Sequence, residues 1–207
     1  MSVCAGGFRA SRISFFRPTR RIMENEFKKK KGENMKSTLL FLIVVAGSSA
    51  AWAQSNPLSS GVKQNYTGIK NNLLKGAEKM PDADYAFKPA PESRTYGAVV
   101  THIAAVQGLI CASAKGENKK FDDSKTGKAD AVALLKAAFD YCDPIYDSLT
   151  DANGLETAKM FGRDTAKFNI LNFGVIHDNE MYGTMAVYLR AKGLVPPSSE
   201  PRGPAKK

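Results

Sequence analysis

The sequence predicts an all-α fold, a four-helix bundle. Apolar residues recur at steps of three and four over four long segments. Proline- and glycine-containing stretches separate those segments. No run of alternating polarity of comparable strength interrupts them. Helices with one apolar face bury that face against one another, and an antiparallel or mixed bundle is the natural arrangement.

The chain of 207 residues does not enter this domain at once. Residues 1–34 carry Arg9, Arg12, Arg17, Arg20, Arg21 and the run Lys28 to Lys31, with no sustained periodicity. They are expected to be disordered. The codons of Lys31-Gly32-Glu33 can spell a purine-rich ribosome-binding sequence just ahead of Met35. Translation is accordingly expected to begin at Met35, with 1–34 a misassigned upstream extension. From Met35 a basic start at Lys36, an apolar run from Leu39 to Ala46 and the small-residue site Ala51-Trp52-Ala53 follow. These are the three parts of a secretory signal peptide over 35–53, cleaved before Gln54. The apolar run falls short of the roughly 20 residues that span a bilayer. The expected product is exported, periplasmic or extracellular, with no stable membrane span once the leader is removed.

The leader also accounts for most of the chain's charge. The whole sequence is +10, but residues 1–53 hold 10 of the 30 Lys+Arg and 3 of the 20 Asp+Glu. What remains is 20 basic and 17 acidic residues, net +3, with the signs interspersed. That is an ordinary solvated surface, which argues against a nucleic-acid partner.

The domain is expected over 54–195. Its first helix runs from about 59 to 79, with Val62, Tyr66, Ile69, Leu73 and Leu74 on the apolar face. A loop holding Pro81, Pro89 and Pro91 follows. The second helix, about 93–114, carries Val99, His102, Val106 and Leu109 on one stripe, and is apolar almost all round, as helices buried on several sides are. The third, about 128–149, aligns Val132, Leu135, Phe139, Cys142, Tyr146 and Leu149, with Pro144 expected to kink or break it. The last helical region is expected from about 155, interrupted near Gly162 and continuing to 192. Its stripe is Ile170, Phe173, His177, Met181, Thr184 and Tyr188. Gly193 and Pro196-Pro197 end it. Residues 196–207 are a Pro/Ser/Lys tail, expected to be disordered.

The two histidines, His102 and His177, lie on the stripes of two different helices. A buried imidazole needs a partner, because an unpaired polar group in a core is costly. In a bundle the stripes converge, and bundle metal sites are built from side chains on facing helices. A shared metal centre and two rings satisfied by protein groups such as Glu180 are both open readings. Two ligands fall short of the three or four usual for zinc.

Four further stretches carry a family resemblance. They are Met80-Pro81-Asp82-Ala83-Asp84-Tyr85-Ala86-Phe87-Lys88-Pro89, the Val-Thr-His-Ile-Ala run around His102, His177-Asp178-Asn179-Glu180 leading to Tyr182-Gly183, and Tyr188 to Pro197. The layout resembles the DinB-like superfamily of bacterial four-helix-bundle proteins. The resemblance implies an up-down-down-up topology. It also implies a divalent metal, zinc or nickel, held by three histidines: one on the second helix, two on the last and four residues apart. His102 and His177 match two of these positions, and Met181 occupies the third. A thioether is a poor ligand for zinc or nickel and an acceptable one for Cu(I). Three states follow: an empty centre, a divalent metal completed by water or Glu180, and Cu(I) through His102, His177 and Met181.

The implied topology also places the cysteines. With the second and third helices parallel, Cys111 and Cys142 lie at levels about 6 Å apart. Cys111 nevertheless stands about 180° round its helix from His102, so a bridge and two separate buried thiols both remain open.

Two classes of function follow. One is a metal-dependent hydrolase or thiol transferase acting on a small molecule, as characterised members of the resembled family look to be. The other is a non-catalytic binding or structural bundle without metal. A homodimer through exposed apolar helix faces is left open by the pattern.

Overall fold

The computed structural model describes residues 56–201. The expected upstream extension, the signal peptide and the last six residues lie outside the described residues. Among the described residues there are four α-helices: α1 (Pro57–Lys79), α2 (Tyr96–Lys115), α3 (Lys128–Asp147) and α4 (Lys167–Ala191). A small antiparallel hairpin, β1 (Thr157–Met160) and β2 (Arg163–Ala166), precedes α4.

The contacts fix the direction of each helix. Tyr96, which opens α2, donates its hydroxyl to the Gly76 carbonyl near the end of α1 at 2.7 Å, so α2 runs opposite to α1. Lys128 at the start of α3 donates to the Glu78 carbonyl at 2.9 Å, so α3 also starts beside the end of α1. A β-carbon on Gly76 would meet Met185 and Leu189, which places the end of α4 beside the end of α1. The order is up-down-down-up, with α2 and α3 parallel. α1 and α2 each lie against α3 and α4. The helices enclose one apolar core, in which the rings of Tyr66 and Tyr146 stack at 3.7 Å.

Parallel neighbours need a connection that returns along their length. Residues 116–127 make that return against α2, along a track cleared by two glycines. A β-carbon on Gly108 would sit 2.1 Å from the Phe121 ring, and one on Gly97 would sit 1.9 Å from the Thr126 carbonyl oxygen. The helix rises about 16 Å between those glycines, and extended chain from Phe121 to Thr126 covers about 17 Å. The spacing of the glycines thus matches the length of the strap.

The helix ends are closed partly from a distance. Pro57 begins α1 without a side-chain cap from Asn56. Asp151, beyond the end of α3, accepts from Ser59 N at 2.8 Å and Leu58 N at 3.3 Å, while its own N–H donates to Asn56 Oδ1 at 2.9 Å. This clasp supplies the acceptors that free N–H groups of a first helical turn require. Thr95 caps α2 by accepting from Ala98 N, and Gly116, with φ 74°, ends it in the left-handed conformation.

Four expectations need correction. Residues 157–166 form the hairpin, not helix. Its two-residue turn places both Phe161 (φ 49°) and Gly162 (φ 78°) in the left-handed region, as tight hairpins require. Pro144 neither breaks nor ends α3; it lies in the last turn, where only one backbone bond is forfeited. The tail does not become disordered at 196: Pro197 is buried, Ser198 N donates to the Tyr182 hydroxyl at 2.8 Å, and Glu200 pairs with Lys79. The buried faces of α2 and α4 are also rotated from the expected stripes. On α4 Ile170 and Tyr188 of the expected stripe are buried, but the core line runs through Leu171, Gly174, Val175, Asp178, Tyr182, Met185 and Leu189, while Phe173 is 40% exposed. On α2, Leu109 is exposed, and Val100, Ile103, Gln107, Ile110 and Cys111 face inward. The expected faces of α1 and α3 bury largely as read. α2 is apolar on every side, which leaves its phase undetermined by pattern alone.

Candidate metal centre

The structure brings His102 and His177 together. The rings, one from α2 and one from α4, lie 5.4 Å apart between centroids, at an interplanar angle of 64°. Both residues are half-buried, at the margin of the core rather than inside it. The antiparallel run of α2 and α4 produces the meeting. Gln107 sits opposite Gly174 and Tyr96 opposite Tyr188, so the intervening turns align His102 with His177. Met181, one turn beyond His177, is partly buried and packs against the core cluster. Glu180 is exposed. Burial lowers the pKa of His102, with Arg94 and then His177 adding to the effect and Asp123 opposing it. The neutral ring that this favours is the form that can donate a lone pair.

His177 Nδ1 is buried and has no hydrogen-bond partner. Its nearest charged neighbour is Asp178, with Oδ1 3.5 Å from Nδ1. Asp178 is the residue that the sequence reading missed. It is fully buried, and neither of its oxygens has a partner. Burial pushes its carboxyl up to about 6, with His177 beside it pulling the other way. The signal was present in the sequence: Leu171, Gly174, Val175, Tyr182, Met185 and Leu189 form a helical stripe whose one acidic member is Asp178.

Between α2 and α3 lies the second surprise. Cys111 and Cys142 form a disulfide, with Cα atoms 5.5 Å apart, tying α2 to α3. The Gln107 amide points at both sulfurs, at 3.6 and 3.5 Å, and its Oε1 is left without a partner. Gly174 gives this group room, since a β-carbon there would approach Tyr146 Oη at 2.9 Å and Gln107 Oε1 at 3.0 Å.

The donors present fit an open, two-nitrogen centre and not a closed one. Among the described residues no group of three or more His, Cys, Asp or Glu side chains is arranged to hold a metal. Surface cavities lie elsewhere. One of 470 Å³ is lined by Glu78, Asp82, Lys128 and Lys136, and one of 410 Å³ by Lys115, Glu117, Thr157 and Lys167.

Comparison with known proteins bears on the fold and the family. No curated protein matches the chain. Among solved structures, a DinB-like protein from Bacillus cereus aligns with a TM-score of 0.59 at 21% identity, covering 67% of this chain and 95% of its own. The DinB-like protein YjoA from Bacillus subtilis gives 0.53 at 21% identity, covering 64% and 92%. YfiT from Bacillus subtilis, described as a probable metal-dependent hydrolase with an unusual four-helix bundle topology, gives 0.53 at 16% identity, covering 68% and 90%. At these identities the likeness speaks to the fold. The model of the DinB superfamily matches residues 66–185, more than half of the chain, from within α1 to beyond His177 and Met181. With the up-down-down-up bundle and the paired histidines of α2 and α4, this match places the chain in the DinB superfamily.

Proposed function

We propose that the chain holds a divalent cation, zinc or nickel, between His102 and His177, and acts on a small molecule as a metal-dependent hydrolase or thiol transferase. The observation that carries this reading is the meeting of two imidazoles from different helices at 5.4 Å. Two neutral imidazoles suit zinc and nickel, and the thioether of Met181 does not compete with them for such an ion. When bound, the cation supplies Lewis-acid polarisation of a substrate oxygen or thiol. His102 and His177 do the holding.

Export through residues 35–53 belongs to the same proposal. The Cys111–Cys142 bridge supports it, because disulfides persist in oxidising compartments and are rare in the cytosol.

Met181 favours a second reading, a non-catalytic binding or structural bundle. A soft thioether at the third position leaves a divalent ion underligated, and with His102 and His177 it makes a set suited to Cu(I). Elemental analysis of the full chain, purified without a His tag, separates the readings. Near-stoichiometric zinc or nickel in the wild type, lost in His177→Ala, is the expected result. An empty wild type with a filled Met181→His would favour the non-catalytic reading, and copper in the wild type would replace the divalent ion.

A further inference from the structure

Four buried side-chain atoms of the described residues lack a hydrogen-bond partner: Gln107 Oε1, His177 Nδ1, Asp178 Oδ1 and Asp178 Oδ2. Three of them can only accept when the carboxyl is ionised, and His177 Nδ1 is the one able to donate. It lies 3.5 Å from Asp178 Oδ1, just beyond the length of a formed bond. Other donors that feel the Asp178 charge are engaged elsewhere. The Tyr66 hydroxyl donates to Asp143 Oδ1 at 2.8 Å, and that of Tyr146 to the Leu171 carbonyl at 2.8 Å. The Gln107 amide faces the disulfide.

We infer that Asp178 is a positioning residue for the imidazole pair: it takes the proton-bearing Nδ1 of His177, fixes that ring's tautomer and leaves Nε2 as the free lone pair. A small rotation of the ring closes the remaining gap. The placement costs stability, because a carboxylate inside a core is expensive unless paired. A leucine at 178 would complete the apolar stripe of α4, so the acid answers to something other than packing. A carboxylate behind a ligating histidine orients the ring and raises its basicity. The purpose of the arrangement rests on the metal-centre reading; its geometry does not.

The test uses full-length protein labelled with ¹⁵N-histidine, metal-free at pH 8, in two-bond ¹H–¹⁵N correlation spectra, followed by titration with zinc alone. Wild-type His177 is expected as the Nδ1–H tautomer. In Asp178→Asn, which keeps the shape, the side-chain amide can donate to Nδ1, and the ring is expected to move toward Nε2–H. Zinc affinity should fall between about 10- and 100-fold. An Nε2–H tautomer in the wild type, or one unchanged by the substitution, overturns the inference. A wild type in the Nδ1–H form that responds to Asp178→Asn but takes up no zinc upholds it and overturns the metal-centre reading alone.

Discussion

Gly97, at the head of α2, lies directly against the carbonyl of Thr126, the residue before the last of the strap that leads into α3. A β-carbon at 97 would come within 1.9 Å of that oxygen. The obstruction is backbone, which a rotamer change cannot move. Gly97→Ala should lower stability by more than about 2 kcal/mol through overpacking. Gly68, mid-way along α1 with nothing within 4 Å of its β-position, is the control. Gly68→Ala should raise stability by about 1 kcal/mol from helix propensity. Urea midpoints of the two variants should move in opposite directions.

The Cys111–Cys142 bridge closes a loop with a sequence separation of 31. Chain-entropy arithmetic for that length gives about 3 to 4 kcal/mol of stabilisation. A Cys111→Ser/Cys142→Ser double variant should lose an amount of this order. Denaturation with and without reductant checks the assignment: wild type should weaken in reductant, and the double variant should not respond.

Asp151 clasps the first turn of α1, and the backbone bond from Ser59 holds its carboxyl below the ordinary value of 3.8. A carboxyl depressed by folding contributes stability that is present above its unfolded pKa and lost as pH falls through its folded one. Asp151→Ala should lower the urea midpoint at pH 7. The deficit should shrink below about pH 3.8, where the wild type loses the same contribution. Equal deficits at pH 7 and pH 2.5 would remove the charge from the account of this cap.

Asp178 should show a conflict between stability and binding. Replacing a buried charge by an apolar side chain of similar size is commonly neutral or stabilising, by about 1–4 kcal/mol. Asp178→Leu in metal-free protein is expected to melt higher than wild type and to bind zinc less tightly. Thermal unfolding monitored by circular dichroism, beside a zinc titration, reads both effects.

The bundle was legible from spacing because α1 and α3 each have one apolar face, and residues such as Tyr66, Leu73, Leu135 and Phe139 bury where the period places them. The hairpin was not. Strands of four residues are too short for alternation to register, and the Phe161-Gly162 turn lacks the usual asparagine or aspartate. The histidine pair was legible because each ring stands out on its helix. Asp178 was hidden by the choice of phase: a stripe drawn through His177 puts its neighbour about 100° away. The disulfide pairing depended on parallel α2 and α3, which spacing alone does not reveal.

The order of the four helices also decides where the domain's two ends emerge. Four helices that simply alternate would return the chain to the pole where it began. Here the described chain enters at the pole of Asn56 and leaves beside Lys79, where Glu200 is held. The length of α1, about 34 Å, separates those points. A circular permutant would need a bridging linker of about ten or more residues. A sample tethered through one end would show solvent its hairpin pole, and a sample tethered through the other would hide it.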